Sequence, residues 1–469
     1  MLTLADLIEA LTGVRPDGTD LVLTEACIDS RQAIPGSLFV AMKGERVDGH
    51  DYVTEAFRRG ASVAIIERPV KTAHLVVDLR SGPPAGALPA APFCLMVSDT
   101  LKALQQAAGF WRSKMNVRVV GITGSVGKST TKELVAQVLR ERYCTLKNQG
   151  NLNNEIGLPL TLLRLTEGHQ RAVLEMGFYV PGEIKFLCDL ARPVVGVVTN
   201  VGTVHALRAG SQEVIARGKA ELVEALPPDG VAILNRDDPW VAAMAEKTRA
   251  RVFFYGLDPE ADLWADEVES LGLEGIRFKL HYGHEALHMR APLIGRHSVH
   301  TVLRAAAVGL AEGLAWAEIS AALHGGQAQL RLVASHTESG ALILDDTYNA
   351  SPESTLAALN LLADLDGRKV AVLGDMLELG PYEQQGHEMV GARAAEVADE
   401  VVAVGERGKM IAEAALTAGK PVAAVSWFET TQQAAEYLQR HLKDGDVVLV
   451  KGSRGMRMEQ IVAALEVPA

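Results

Sequence analysis

The feature that most constrains this chain is a glycine-rich turn held between β-branched residues at 117–123 and a helix-spaced apolar pattern over Lys128–Arg140. A strand that stops at such a turn and restarts as a helix aims successive backbone N–H groups at one point ahead of the helix. Hydrogen bonding and the helix dipole together favour a phosphate there. Gly124, Ser125, Val126 and Gly127 form the turn. Lys128 is placed to reach a β- or γ-phosphate, Ser129 to ligate magnesium, and Thr130 continues the first helical turn. The pattern departs from GxxxxGK[ST], because Ile122 stands where the first glycine belongs, with Gly121 before it. A ligand-free glycine turn is the bland alternative. The intact Gly127-Lys128-Ser129 between strand and helix favours nucleotide phosphates over it.

The strand-then-helix rhythm recurs. Apolar runs at Arg171–Glu175 and 194–199 are followed by turn or helix signals, and the rhythm restarts at 341–345, 369–373, Glu400–Val404 and 446–450. Such alternation implies an α/β chain whose mostly parallel sheets are covered by helices on both faces. At about 150 residues per domain, 469 residues make about three domains. The expected division is a small α/β N-terminal domain over 1–110, a central P-loop domain with a mostly parallel sheet over 111–326, and a Rossmann-like C-terminal domain over 327–469 that lacks GxGxxG. A Pro/Gly/Ala-rich loop falls at 81–92, an amphipathic helix at 100–111 leads into the central domain, further helices follow Gly295 and span 316–323, and Gly325-Gly326 is the expected hinge.

Charge and cysteine usage narrow the chemistry. With 46 Lys and Arg against 58 Asp and Glu the formal charge is −12, which disfavours general binding to nucleic acid or anionic membrane while leaving room for a local nucleotide pocket. No apolar run approaches the roughly 20 residues of a membrane span, and the N-terminus lacks the cationic start of a signal peptide. Cys27, Cys94, Cys144 and Cys188 are scattered, without the paired spacing of a zinc site or disulfide framework. A cytoplasmic monomer is the expectation.

A phosphate loop needs an acid near the carboxyl end of a neighbouring strand to hold magnesium, and Glu175 closes the apolar run Ala172-Val173-Leu174. His205, just past the strand at 194–199, and Lys219, in a helical stretch between Arg217 and Glu221, read from spacing alone as an ordinary histidine and a solvated lysine.

Taken in order, these segments resemble the Mur ligases. They are 123–129, Asn151 through Asn153 and Asn154 to Pro159, Leu174-Glu175-Met176-Gly177, Asn200-Val201-Gly202 with His205, Lys219, Asn235 through Pro239, and 295–301. Asp345 through Pro352, 374–380, Val450-Lys451-Gly452-Ser453-Arg454, Asp29-Ser30-Arg31 and Asp48-Gly49-His50 resemble the branch that adds D-alanyl-D-alanine to a UDP-N-acetylmuramoyl-tripeptide; the Asp-Asn-Pro-Arg signature of the diaminopimelate- or lysine-adding branch is not found. The resemblance implies a ligase using ATP and a pair of magnesium ions, with Lys128, Glu175, His205 and Lys219 catalytic. Ser129, Glu175, His205 and a carbamylated Lys219 would hold metal, and Asn235, Arg331 and Asp346 would touch nucleotide. Ser30, Arg31, His50, Asn151, Asn153 and Asn154 would line the precursor site, and Tyr348, Asn349 and Lys451 would serve the incoming dipeptide. Two departures stand out. Ser298 and Thr301 replace the asparagines of the family's His-Asn-x-x-Asn, and Ser351 replaces an asparagine, so an amide's paired donor and acceptor is lost at each place. The alternatives are a sibling ligase or folylpolyglutamate-type synthetase, separable by the amine donor, a P-loop ATPase that hydrolyses ATP without peptide, and a binding protein without turnover.

Overall fold

The computed structural model describes the chain except residues 18, 45, 85, 204–205, 325–332, 338 and 467–469, so the expected hinge at Gly325-Gly326, together with His205 and Arg331, lies outside the described residues. The chain forms two compact units, one of residues 1–121, 142–177 and 182–195, the other of residues 122–141, 178–181 and 196–469.

In the first unit the helix Leu4–Thr12 starts on a capping box: Thr3 Oγ1 accepts from Asp6 N, and the Asp6 carboxylate accepts from Thr3 N. Five short parallel strands then assemble in the order Ala26–Cys27, Leu38–Val40, Val63–Ile66, Phe93–Met96, Val76–Asp78. The middle three are wholly buried, as the apolar runs of a sheet covered on both faces require, and Phe39, Ile66 and Cys94 pack on Val53 and Phe57. Asp99 caps the helix Thr100–Lys114. At its far end the buried Arg112 guanidinium donates to the carbonyls of Ala191, Met115 and Val117. Those bonds satisfy carbonyls where the helix stops and turn the chain into the strand Arg118–Thr123. Thr145–Lys147 pairs in parallel with Arg171–Glu175 in the same unit.

In the second unit Val195–Val198, Val231–Asn235, Arg251–Gly256, Leu263–Ser270, Ile276–Tyr282 and Glu285–Ala291 lie side by side in that order. From Val231–Asn235 to Leu263–Ser270 the pairing is parallel, and it is antiparallel beyond. A six-stranded sheet runs Val333–His336, Leu342–Asp346, Asp446–Lys451, Arg368–Gly374, Glu400–Val404, Val425–Phe428, parallel except for its first strand. Pro352–Ala363, Glu383–Val397 and Gly408–Thr417 cover one face of it, and Thr431–His441 and Glu459–Leu465 the other. The mostly parallel α/β reading holds. The antiparallel meander over 263–291 and the strand Val333–His336 were not anticipated.

Candidate active site

The strand Arg118–Thr123 ends on Thr123, and the helix Lys128–Arg140 begins after Gly127, whose φ of +83° is the left-handed turn that admits glycine. Gly124 is required for a different reason: a Cβ there would lie 1.8 Å from Thr199 Oγ1. The segment after Val195–Val198 clasps the turn. Thr199 Oγ1 and Asn200 Nδ2 donate to Val126 O at 2.7 and 3.0 Å, Asn200 Oδ1 accepts from Val126 N, and Gly202 N donates to Ser125 Oγ at 2.8 Å. Val201 N is in turn held by Asp238 Oδ2. The loop is therefore held in shape by hydrogen bonds from the chain itself. Lys128 Nζ lies back on the carbonyls of Gly124 and Ser125, at 2.7 and 3.2 Å, and Ser129 and Thr130 are half-buried in the first helical turn.

Lys219 departs most from its appearance in sequence. It is 1% exposed on the helix Gln212–Glu224. Its ammonium position lies 5.0 Å from the Phe178 ring, and that ring rests on the helix only because position 218 is glycine, where a Cβ would come within 2.0 Å of it. Burial, and then the positive charge of Lys128, push the Lys219 amine well below the ordinary lysine range. That shift favours the uncharged amine, which is the form that can take up carbon dioxide and become a carboxylate.

Within the first unit Glu175 is 2% exposed at the end of its strand. Asn148, which sequence reading missed, brackets it with Oδ1 on Glu175 N and Nδ2 on Glu175 O, and Asn153 Nδ2 donates to its carboxylate at 2.8 Å. Asn154 Oδ1 instead accepts from Gly157 N, the first residue of the helix Gly157–Leu162, while Asn151 is exposed. His50 is buried with Nδ1 on Asp48 at 2.7 Å and Nε2 accepting from Glu67 N at 3.0 Å, so both ring nitrogens serve the fold in this arrangement. Ser30 is buried at the start of a short helical turn, and Arg31 is exposed in a pair with Asp29.

In the second unit the carboxyl ends of two adjacent parallel strands bring together Asp346 and Lys451, Nζ to Oδ2 2.6 Å, and Lys451 also donates to Asn349 O. Tyr348 is exposed with the Arg454 guanidinium 5.6 Å from its ring. His297 keeps an exposed surface nearby, and the packing around its ring holds the imidazole below the usual histidine range despite Asp346. Asn235 donates from Nδ2 to Thr199 O, tying it to the clasp.

The side chains at the departures from the family pattern bond locally, Ser351 capping the helix Pro352–Ala363. Ser298 Oγ donates to Ile294 O at 2.7 Å, and Thr301 Oγ1 accepts from Arg304 Nη2 at 2.8 Å. Arg304, also missed, is buried and donates to Thr131 and to the Tyr255 hydroxyl, with Nη2 3.2 Å from the Cβ position of Gly127. A lone arginine in the apolar helix Val299–Ala311 was its visible signal. Among the described residues no three His, Cys, Asp or Glu side chains converge as a metal group.

The profile of the Mur ligase middle domain matches residues 122–309, that of the Mur ligase glutamate ligase domain 330–454, and that of the Mur ligase family catalytic domain 23–109. The UDP-N-acetylmuramoyl-tripeptide–D-alanyl-D-alanine ligase of Bacillus subtilis (strain 168) is 36% identical over 99% of this chain and 98% of its own length. A crystal structure of MurF from Acinetobacter baumannii superposes with TM-score 0.83 at 33% identity, covering 98% of this chain and 97% of that one. The MurF ligase of Thermotoga maritima in complex with ADP superposes at 0.78 and 28% identity, covering 95% and 97%.

Proposed function

The chain belongs to the Mur ligase family, and on that premise we propose that it joins D-alanyl-D-alanine to UDP-N-acetylmuramoyl-tripeptide at the expense of ATP, in peptidoglycan precursor synthesis. The observation that carries the reading is the phosphate loop, held in shape by Thr199, Asn200 and Gly202 in the same unit as the fully buried Lys219. The choice of donor rests on the full-length likeness to ligases that bear that name.

The terminal carboxylate of the precursor attacks the γ-phosphorus of ATP, giving an acyl phosphate and ADP. The dipeptide amine then attacks the acyl carbon, loses a proton, and phosphate leaves as the amide forms. The first step crowds anionic oxygens, so fixed donors supply most of its acceleration. Loop N–H groups over 124–130 meet the phosphates, and Lys128 swings from the Gly124 and Ser125 carbonyls onto the β- and γ-oxygens. Magnesium, when bound, neutralises charge on those oxygens; Ser129, Glu175, His205 and a carbamylated Lys219 are the groups we assign to it. A buried amine whose charged form is disfavoured fits that modification: in its uncharged form the nitrogen adds to carbon dioxide and loses a proton to leave a carbamate. Asn235, Arg331 and Asp346 are assigned to the nucleotide. Residues 1–110, through Ser30, Arg31 and the neighbourhood of His50, together with Asn151 and Asn153, take the precursor; 111–326 take ATP; 327–469, through Tyr348, Asn349 and Lys451, take the dipeptide. His50 and Asn154 act by shaping that wall, given their bonds within the fold. The reaction is placed in the cytoplasm, where ATP is supplied, and one chain suffices for it. No helix among the described residues is long and apolar enough to cross a membrane.

The test is donor choice. With ATP, magnesium and the tripeptide precursor, D-alanyl-D-alanine should drive ADP release while glutamate, lysine and diaminopimelate do not. Release driven by one of the single amino acids would assign a sibling reaction.

A further inference from the structure

Glu353 is the second residue of the helix Pro352–Ala363, which Ser351 caps. A carboxylate in a first turn is favoured by the helix dipole alone, and that would be a sufficient account if the side chain lay along its own helix. It does not. Glu353 Oε1 accepts from Thr203 N at 3.0 Å and from Thr203 Oγ1 at 3.2 Å. Gly202 lies so close beneath the carboxylate that a Cβ there would come within 2.7 Å of Oε1. Gly202 N is the group that donates to Ser125 Oγ, and Ser125 N donates to Asn200 O at 2.9 Å. An unbroken path of contacts therefore runs from this helix, through 200–203, into the phosphate loop. Beyond the undescribed pair 204–205, the same domain grips the chain again. Leu207 N donates to Glu378 O at 3.2 Å, Glu378 holds a left-handed φ of +65°, and a Cβ on Gly380 would meet Leu207 Cα at 2.7 Å.

We propose that Glu353 is a positioning residue for nucleotide binding, its carboxylate fixing the 200–203 segment and through it the shape of the phosphate loop. The inference rests on the phosphate loop being the nucleotide site. Thr203 can bond only when the helix Pro352–Ala363 is seated against it, so the contact ties the seating of that helix to the loop that receives ATP. A role confined to the helix dipole would change melting temperature and leave ATP affinity alone.

Calorimetric titration of the full chain with ATP and magnesium, without either peptide substrate, reads the effect directly, with melting curves run beside it. Two hydrogen bonds to a carboxylate at a partly solvated site predict that Glu353→Ala weakens ATP about three- to tenfold. Glu353→Gln, whose amide oxygen accepts both bonds, should restore affinity to within about twofold of the parent. Gly202→Ala should displace the carboxylate and weaken ATP as much as Glu353→Ala, and the double variant should be no weaker than the worse single, since both break one contact. Parent-like affinity in Glu353→Ala, equal weakness in the Gln and Ala variants, or additive losses in the double variant overturns the positioning role. A parent chain that binds no ATP overturns the nucleotide-site reading along with it.

Discussion

Gly124→Ala is the substitution whose consequence follows most directly from the geometry. The added Cβ would lie 1.8 Å from Thr199 Oγ1, 2.9 Å from Thr199 Cβ and 3.1 Å from Thr199 N. A carbon–oxygen contact needs about 3.3 Å, so a separation of about 1.5 Å must open. Rotating the Thr199 hydroxyl away does not suffice, because Cβ and N stay close in every rotamer, and the rotation also breaks its bond to Val126 O. The loop or the strand end must move. At φ of +148° the alanine adds its own backbone strain, about 1–3 kcal/mol. Displacing phosphate-binding groups by about 1 Å costs about a hundredfold, so ATP affinity should fall by about that factor, near 3 kcal/mol. Titration calorimetry with ATP and magnesium measures it, with a melting curve to show that the chain still folds. An alanine variant that binds ATP within about threefold of the parent would mean that the Thr199–Gly124 packing does not shape the site.

Lys219→Ala should lower turnover by about a hundredfold or more while the chain still folds, because the variant removes the amine we propose to be carbamylated together with a buried group whose charged form is disfavoured. Initial rates with saturating ATP, magnesium and both peptide substrates check this, and normal turnover would remove Lys219 from the mechanism. In the first unit, burial pushes the Asp6 carboxyl up, but bonds from Thr3, Arg15 and Lys114 together outweigh it and hold the group well below the carboxylate range. A depressed folded value gives stability that is complete above the ordinary value of 3.8 and is lost as pH falls below it. Asp6→Asn should therefore cost about 1–2 kcal/mol at neutral pH, allowing for the exposure of Arg15. It should also flatten the acid limb of the melting-temperature profile between about pH 4 and 2, and an unchanged acid limb would contradict the assignment.

Much of the fold was legible because a parallel strand buried on both faces leaves an unbroken apolar run. The runs at Arg171–Glu175, Glu400–Val404 and 446–450 were read that way and are strands. The meander over 263–291 escaped because one of its faces is wet and its period is broken. Its first strand alternates buried and half-exposed residues only as far as Asp266, after which the register slips and Glu267 takes a φ of +50°. The strand, turn and helix around Gly127-Lys128-Ser129 were legible from the residues themselves. The clasp on that turn was not: nothing local to Thr199 or Asn200 says that they will bond to Val126, more than 70 residues away in sequence. Lys219 shows the limit most clearly. Flanked by Arg217 and Glu221 it looks solvated, and only the packing of Phe178 over Gly218 buries it. The family resemblance raised it as a site residue where spacing favoured a surface lysine. The same resemblance assigned ligand contacts to His50 and Asn154, whose polar atoms bond within the fold.

The central claim is that ATP cleavage is coupled to joining one dipeptide to one precursor. Phosphate release should be followed with ATP, magnesium and UDP-N-acetylmuramoyl-tripeptide, with and without D-alanyl-D-alanine, and the precursor weighed by mass spectrometry afterwards. The account predicts release that requires both peptide substrates and a precursor heavier by one D-alanyl-D-alanyl unit. Sustained release without either peptide, or with both but no change in precursor mass, would contradict it.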